Sequence, residues 1–183
     1  MPKMTYGVPY QGSKNRIATL IMNELPAGTR FVDLMAGGCA MTHCAALSGK
    51  YDKVLCNDKY PMGSRLFRMA VNEELNDPKY LEWVSREEFH AKKTTDPFVR
   101  FVWSFGCAGE NYFTSPEKMN WRMATHKAVV NDDWSLVEQA NLNERECAEL
   151  KKSVEVIPVC EWRKRRREIE KAEERIKKKC VRF

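Results

Sequence analysis

The feature that most constrains this fold is a short apolar run that ends at a pair of glycines. Residues 29–34 (TRFVDL) are rich in apolar and β-forming side chains, as a buried parallel strand is. Residues 36–38 (AGG) then predict a tight turn, and the small apolar residues 39–48 predict a helix that Gly49 closes. Residues 53–56 (KVLC) predict a second strand. This order is one βαβ unit, which predicts a parallel sheet.

After the βαβ unit, the sequence pattern predicts mainly helices. Apolar spacing and capping signals predict helices over residues 62–75, 85–93, 97–105, 116–130 and 133–152. No convincing strand returns until residues 154–159 (VEVIPV), where Pro158 weakens the pattern. The sequence therefore predicts an α/β fold with a βαβ portion over 1–60, a helical region over 61–152, and a strand or linker with a basic helical tail over 153–183.

The excess positive charge is confined to the end of the chain. Residues 161–183 contain eleven Lys/Arg and five Glu, a net charge of +6 that equals the formal net charge of the whole chain. The densest run is Arg163, Lys164, Arg165, Arg166 and Arg167. Such a run can neutralise the phosphates of nucleic acid, or it can be a solvated helix laced with i,i+4 ion pairs. Both interpretations stay open.

Composition argues against a membrane protein and against a metal protein. The longest apolar stretch, residues 98–108, contains Arg100 and is too short to span a bilayer, and the first ten residues carry no secretory signal. None of the seven cysteines forms a C-x-x-C pair, and there are only three histidines, so no zinc site is visible. We expect a soluble, cytoplasmic protein with scattered buried thiols and no metal.

Two further segments carry groups that could bind a nucleotide-like ligand together with the glycine turn. Asp58 follows the second strand, where a carboxylate can accept hydrogen bonds from ribose hydroxyls, although it could also cap the helix that follows. Tyr10, Gly12 and Lys14 lie ahead of the first strand, where an aromatic ring and a cation could contact an adenine and a carboxylate. The alternative is a capped helix with a solvated Lys14.

In order and spacing, these segments resemble the opening motifs of the Dam-like DNA adenine-N6 methyltransferases. The matching stretches are YQGSKNRIA, FVDLMAGGCAMTH and VLCND, and the later WSFGCAGENYF is similar to a helical-region segment of phage and bacterial members. The resemblance implies a Rossmann-like methyltransferase core, S-adenosylmethionine as cofactor and double-stranded DNA as partner. It also implies that the cofactor is held by Tyr10, Gly12, Lys14, Asp33, Met35, Ala36, Gly37, Gly38 and Asp58.

The chain departs from the family pattern at two positions of the glycine segment. Met35 stands where the family usually has Phe, and Cys39 stands where it often has a third glycine. Losing the aromatic ring could weaken packing on the cofactor. A Cβ at position 39 is tolerated if φ is negative there.

A larger departure is that the family's catalytic motif, D-P-P-Y, is missing from these 183 residues. Asp77-Pro78-Lys79-Tyr80 lacks the second proline, and Asp96-Pro97 is better explained as a helix cap. We therefore expect an incomplete or split enzyme whose second half lies elsewhere, with no catalytic residue in this chain. The alternatives are a non-catalytic protein that binds S-adenosylmethionine or nucleic acid, and an unrelated small-molecule methyltransferase.

Overall fold

The computed structural model describes residues 5–131, Asp133, residues 135–138 and Ala148. Its strands and helices, in chain order, are α1 (Ala18–Glu24), β1 (Gly28–Asp33), α2 (Ala40–Ser48), β2 (Tyr51–Cys56), α3 (Met62–Val71), α4 (Arg86–Lys92), α5 (Pro97–Val102), α6 (Pro116–Val130) and α7 (Ser135–Glu138). Short 3-10 turns cover Lys14–Arg16, Glu74–Asn76, Pro78–Leu81 and Phe105–Cys107.

The predicted βαβ unit is present. Strands β1 and β2 pair in parallel, with Gly28 opposite Tyr51 at one end and Asp33 opposite Cys56 at the other. Helix α2 connects them, and Gly49 ends that helix with a φ of 68°, a conformation that a residue without Cβ adopts readily. The structure is thus a mixed α/β fold with a two-stranded parallel sheet in the part of the chain that it describes.

The predicted helices at 62–75, 85–93, 97–105 and 116–130 form, but two of them end earlier than the pattern indicates. Of the predicted helix at 133–152, the structure describes only Ser135–Glu138 as a helix, and most of the remainder lies outside the described residues. Helix α3 stops at Val71, because Glu73 takes a left-handed φ of 60° and turns the chain. Helix α5 stops at Val102. The predicted Asp96 cap is confirmed, since its carboxylate accepts from Phe98 N–H at 2.8 Å. Ser85 likewise caps α4, with its hydroxyl accepting from Glu88 N–H at 3.1 Å.

One face of the sheet is covered by helices α1 and α2. The centre of this core consists of Ala18 and Met22 from α1 with Cys44 and Ala45 from α2, and Phe31, Tyr51 and Val54 of the strands pack against it.

Lys50, just ahead of β2, reaches back to the end of α1. The Lys50 Nζ donates to the carbonyl oxygens of Met22 at 2.7 Å and Leu25 at 2.8 Å. A cation is favourable there, because the last carbonyls of a helix have no partner within it.

The opposite face of the sheet is left open by the elements that the structure describes. Val32 and its register partner Leu55 are 46% and 39% exposed, and Leu34, just beyond β1, is 66% exposed. The expectation of a buried strand at 29–34 is therefore wrong for this face. Alternating side chains of a strand point to opposite faces, and among the described residues a helix layer covers the face with Phe31 alone.

A second core forms between helices α3 and α5. Its buried members are Val8, Leu66 and Phe101, with Tyr10 and Phe98 among the side chains that pack against them. The N-terminal segment thus contributes to this core although it precedes the sheet in the chain. Through it, the segment that carries Tyr10 is fixed next to α3.

The chain divides into two compact units. One comprises the described residues up to Tyr80 together with Val84–Phe113, and the other comprises Leu81–Trp83 together with the described residues from Thr114 onward. The boundaries predicted at residues 60 and 152 stay predictions. The predicted strand at 154–159 and the basic helical tail lie outside the described residues.

In the second unit, His126 is a buried structural histidine, as its place on α6 indicates. It is 4% exposed, its Nε2 lies 2.8 Å from the carbonyl oxygen of Leu81, and its ring meets Trp83 edge-on at 5.4 Å. Burial lowers the pKa of His126 to about 4, and the contact with the Leu81 carbonyl opposes this only in part. The imidazole is therefore neutral in the native state at pH values where an unfolded histidine is already charged.

We expect this burial to make stability depend on pH. As pH falls from about 6.5 to about 4, the unfolded chain takes up a proton that the native chain does not, so the free energy of unfolding should fall by up to about 1.4 kcal/mol per pH unit. Urea unfolding followed by tryptophan fluorescence measures this slope. His126→Gln should flatten it, whereas His90→Gln, at an exposed position, should leave it unchanged. Equal slopes in wild type and His126→Gln would contradict the prediction.

Candidate functional site

The glycine turn is held where the two parallel strands end. Asn57 N–H donates to Asp33 O at 2.8 Å, and Ala36 N–H donates to Asn57 O at 3.0 Å, so hydrogen bonding continues past β1 and β2 into the turn. The turn then leads into α2. In a parallel sheet this carboxyl edge is where ligands bind, which is where the sequence predicts the site.

Asp58 contacts the glycine turn directly. Its Oδ2 accepts from Gly37 N–H at 2.8 Å, and its Oδ1 accepts from Tyr60 N–H at 2.8 Å. Helix α3 begins only at Met62, with no side-chain cap, so Asp58 is not the N-cap of that helix. An ionised carboxylate has about four lone-pair sites. Two of them are used here, and the others can accept from a ligand.

Asp33 ties the end of β1 to the first turn of α2. Its Oδ2 accepts from the Thr42 N–H at 3.1 Å and from the Thr42 hydroxyl at 2.7 Å. Both donors come from one residue, and both bond the same oxygen. Among the described residues no donor bonds the other oxygen, so Asp33 can hold the turn in place and still present an acceptor.

The Tyr10 side chain packs directly against Gly37 and Gly38 of the turn. A Cβ built on Gly38 would come within 2.5 Å of the Tyr10 Cβ, and one built on Gly37 would come within 2.9 Å of the Tyr10 ring. The Tyr10 ring also packs on Phe101 at 5.2 Å between centroids. The turn therefore needs glycine because a tyrosine occupies the space of the missing side chains, in addition to the φ of 49° at Gly37.

Gly63 belongs to the same site, and sequence reasoning missed it. A Cβ on Gly63 would lie 2.1 Å from the carbonyl oxygen of Gly37, so α3 approaches the turn backbone to backbone. The only sequence signal is a buried glycine in the first turn of a predicted helix, where glycine is unfavourable unless something packs against it.

The remaining residues predicted to bind the cofactor lie around the contact between Gly63 and Gly37, and they differ in solvent exposure. Ala36 is buried, whereas Met35 is 88% exposed at the rim of the turn. Gly12 and Lys14 are exposed in the segment after Tyr10, and no hydrogen bond or ion pair joins Lys14 to the turn in the described part of the chain. That segment is anchored by Gln11 N–H, which donates to Cys107 O at 3.2 Å.

Cys39 does not meet the condition under which a Cβ fits easily at this position, because its φ is 59°, in the left-handed region. A non-glycine residue there is uncommon, and a glycine would adopt this conformation without a steric penalty. The residue is fully buried and is the N-cap of α2, so the turn keeps the backbone shape of a third glycine while carrying a thiol.

The two Asp-Pro segments that partly match D-P-P-Y have other roles. The Asp96 carboxylate caps α5, as the sequence predicts. Asp77 accepts from Lys79 N–H at 3.0 Å and pairs with the Lys79 ammonium at 2.9 Å, which lowers the pKa of the Asp77 carboxyl. Neither aspartate hydrogen-bonds with the glycine turn in the described part of the chain.

A separate cavity of about 590 Å³ lies between α3 and the start of α5. Its lining includes Arg65, Arg68 and Lys92 together with Glu74 and Asp96, so its charges nearly balance. None of the predicted cofactor-binding residues lines it. The described residues contain no group of three or more metal-ligating side chains and no helix long and apolar enough to cross a membrane.

The strand ends, the glycine turn and the acidic residue thus meet at the edge where open α/β sheets commonly bind ligands. The sequence profile described as D12 class N6 adenine-specific DNA methyltransferase matches residues 10–140. The chain belongs to this family of adenine-specific DNA methyltransferases, which confirms the resemblance to the Dam-like enzymes. No curated protein and no solved structure shows a significant match to the chain.

The close approach of α3 to the turn predicts that Gly63 cannot carry a side chain. Gly63→Ala should lower the free energy of unfolding by about 1–3 kcal/mol, because its Cβ would meet the backbone of Gly37. Urea unfolding measures the change. Gly28→Ala is the control, since a Cβ there has nothing within 4 Å and should change stability by less than about 0.5 kcal/mol. Equal stability of the two variants would refute the tight contact.

Proposed function

We propose that this chain is the S-adenosylmethionine-binding portion of a DNA adenine-N6 methyltransferase with a Rossmann-like core. The observation that carries the proposal is the convergence of three separate segments. Tyr10 and Asp58 come from segments on either side of the glycine turn in the sequence, and both contact Gly37 of that turn at the carboxyl edge of the sheet. Membership of the family supports methyl transfer to adenine in DNA as the reaction.

The groups at the turn suit a nucleoside with a free ribose. Asp58 keeps acceptor capacity beside the Gly37 N–H, which fits a diol that donates two hydrogen bonds. Met35 and Tyr60 are 88% and 68% exposed at this rim, and their apolar surfaces can pack against an adenine ring. The flexible Met35 thioether takes the place of the family's usual aromatic ring.

The segment after Tyr10 is proposed to hold the methionine part of the cofactor. Lys14 is exposed, has no ion pair among the described residues, and can neutralise a carboxylate. Gly12, with a φ of 79°, bends the chain between Tyr10 and Lys14. We propose contacts from Gly37, Gly38 and Ala36 through backbone groups, with Asp33 fixing the turn beneath them.

Bound S-adenosylmethionine supplies an electrophilic methyl group on a sulfonium that is already a good leaving group. The protein's remaining task is to position an extruded adenine and to accept the protons of its amino group. These 183 residues contain no D-P-P-Y, so we propose that the acceptors come from polypeptide outside them.

The exposed face of the sheet supports the proposal that a second polypeptide completes the enzyme. Val32, Leu34 and Leu55 form an apolar surface opposite the α1 and α2 layer. Parallel sheets are normally covered on both faces, since apolar strand residues gain free energy when they leave water. We propose that the polypeptide that carries D-P-P-Y covers this face.

The basic run from Arg163 to Arg167, outside the described residues, is proposed to contact DNA phosphates.

The missing motif also favours a second candidate function. A chain that keeps the cofactor turn and lacks the acceptors can act as a non-catalytic protein that binds S-adenosylmethionine or nucleic acid. The two candidates agree on the pocket and differ in whether a complementary polypeptide restores methyl transfer.

Calorimetric titration with S-adenosylmethionine tests the pocket. We expect saturable binding to the wild-type chain, weakened about tenfold or more in Asp58→Ala, because a hydrogen bond to a charged group contributes about 1.5–3 kcal/mol. Asp52→Ala is the matched control, since Asp52 is an exposed carboxylate on β2 away from the turn. No heat with wild type at millimolar ligand would sink the proposal, and equal affinity of the two variants would remove the role of Asp58.

Transfer of a labelled methyl group to duplex DNA tests whether this chain needs a second polypeptide for catalysis. The chain alone should transfer none, because it lacks acceptors for the adenine amino protons. A D-P-P-Y-bearing polypeptide that forms a complex with this chain should restore N6-methyladenine, detected by mass spectrometry of the digested DNA. Methylation by the chain alone would contradict the incomplete-enzyme proposal, and a complex that stays inactive would favour the non-catalytic alternative.

A further inference from the structure

Two backbone N–H groups attach the segment ahead of Tyr10 to the glycine turn and to α2. Val8 N–H donates to the carbonyl oxygen of Gly38 at 2.8 Å. Its neighbour Gly7 donates its N–H to the Nδ1 atom of His43 at 3.1 Å. Tyr10 lies two residues beyond Val8, so these two bonds set how closely the Tyr10 side chain approaches the glycines.

Gly7 has no space in which to move toward the turn. Its φ is 68°, and a Cβ built on it would lie 2.2 Å from Gly38 O and 2.8 Å from Ala40 N. The backbone of the N-terminal segment therefore lies directly on the backbone that leaves the turn for α2. A displacement of Gly7 is transmitted to Gly38, because no side chain separates them.

The His43 ring joins three elements around the turn. His43 lies on α2, its ring meets Tyr6 of the N-terminal segment edge-on at 5.8 Å, and it packs on Phe67 of α3 at 5.3 Å between centroids. Tyr6 in turn donates its N–H to the side-chain oxygen of Asn15 at 2.8 Å, inside the 3-10 turn that begins at Lys14. Aromatic contacts from two elements thus fix the orientation of the imidazole.

The bond from Gly7 defines the charge state of His43. A backbone N–H can only donate, so Nδ1 keeps its lone pair and the proton of the neutral ring lies on Nε2. Protonation of the ring would place a hydrogen on Nδ1 and remove the acceptor. Burial lowers the pKa of His43, so the neutral form persists below the usual range of histidine.

No carboxylate pairs with the imidazole in the part of the chain that the structure describes. Asp33, which contacts the same helix, bonds Thr42 instead. The titratable groups of the surrounding segments are neutral or cationic: Tyr6 and Tyr10 of the N-terminal segment, Cys44 of α2, Lys14 and Arg16 of the 3-10 turn, and Arg65 and Arg68 of α3. Protonation of His43 therefore gains no ion pair that would offset the lost bond from Gly7.

We infer that His43 is a positioning residue for the proposed cofactor site, and that its neutral imidazole keeps Tyr10 against the glycine turn by accepting from Gly7. The inference rests on the proposed function, because any effect on a ligand passes through Tyr10 and the turn. When the acceptor is lost, the segment from Tyr6 to Tyr10 is held by fewer bonds. Binding of S-adenosylmethionine then weakens, since the free energy of ordering that segment is subtracted from the free energy of binding.

Hydrogen–deuterium exchange of the full chain tests the attachment without any ligand. Peptides that span residues 5–12 should exchange slowly in wild type and in His43→Asn, whose side-chain oxygen can take the place of Nδ1. The same peptides should exchange at least about tenfold faster in His43→Leu, which keeps an apolar side chain but has no acceptor. Peptides from β2 should exchange equally in all three chains, which excludes general unfolding. Equal exchange of residues 5–12 in wild type and His43→Leu would overturn the inference.

Calorimetry across pH tests the consequence for the site. At pH 7.5, S-adenosylmethionine should bind His43→Leu about tenfold more weakly than wild type, and His43→Asn within about threefold of wild type. Between pH 7.5 and pH 5, the affinity of wild type relative to His43→Asn should fall at least about threefold, because asparagine takes up no proton. The control His90→Leu, at an exposed position, should follow wild type at every pH.

The outcomes separate the inference from the proposed function. Identical pH profiles of wild type and His43→Asn would refute the role of the imidazole, even where His43→Leu is too unstable to be measured. Absence of binding by wild type at every pH would instead defeat the proposed function. In that case the exchange experiment still decides whether His43 holds the N-terminal segment on the turn.

Discussion

The bond from Gly37 N–H to the Asp58 carboxylate is the constraint on which the rest of the site depends. It joins the turn that leaves β1 to the segment that leaves β2, so the two strand ends cannot separate independently. The same segment leads into α3, whose Gly63 lies against the Gly37 carbonyl. One short contact therefore sets the position of a helix, a turn and an acidic side chain, and this explains why the glycines lie where the backbones meet.

The βαβ unit and the acidic residue could be predicted from the sequence because their signals are local. An apolar run, a glycine pair and a small-residue helix each depend on neighbours in the chain, and Asp58 follows a strand that is recognisable by itself. The Ser85 and Asp96 caps were also predictable, since the bonds they make reach only three residues along the chain. The family resemblance extended these local signals to a shared site.

Other features could not be predicted, because they depend on contacts between distant segments. Nothing near Gly63 in the sequence indicates that it meets Gly37, and the left-handed φ of Cys39 follows from how the turn enters α2. The exposure of Val32 and Leu55 has the same origin. Their pattern indicates burial, but whether a layer covers that face is decided by elements far away in the chain or outside it.

The reach of Lys50 to the end of α1 has a consequence for the order of assembly. Helix α1 spans only seven residues, too few to persist alone in water, and its final carbonyls are satisfied by an ammonium group that arrives some 25 residues later. A ribosome must therefore release β1, α2 and Lys50 before this first helix has its C-terminal partner. During synthesis α1 should stay unformed until Lys50 emerges, so that this helix forms together with α2 and not ahead of it.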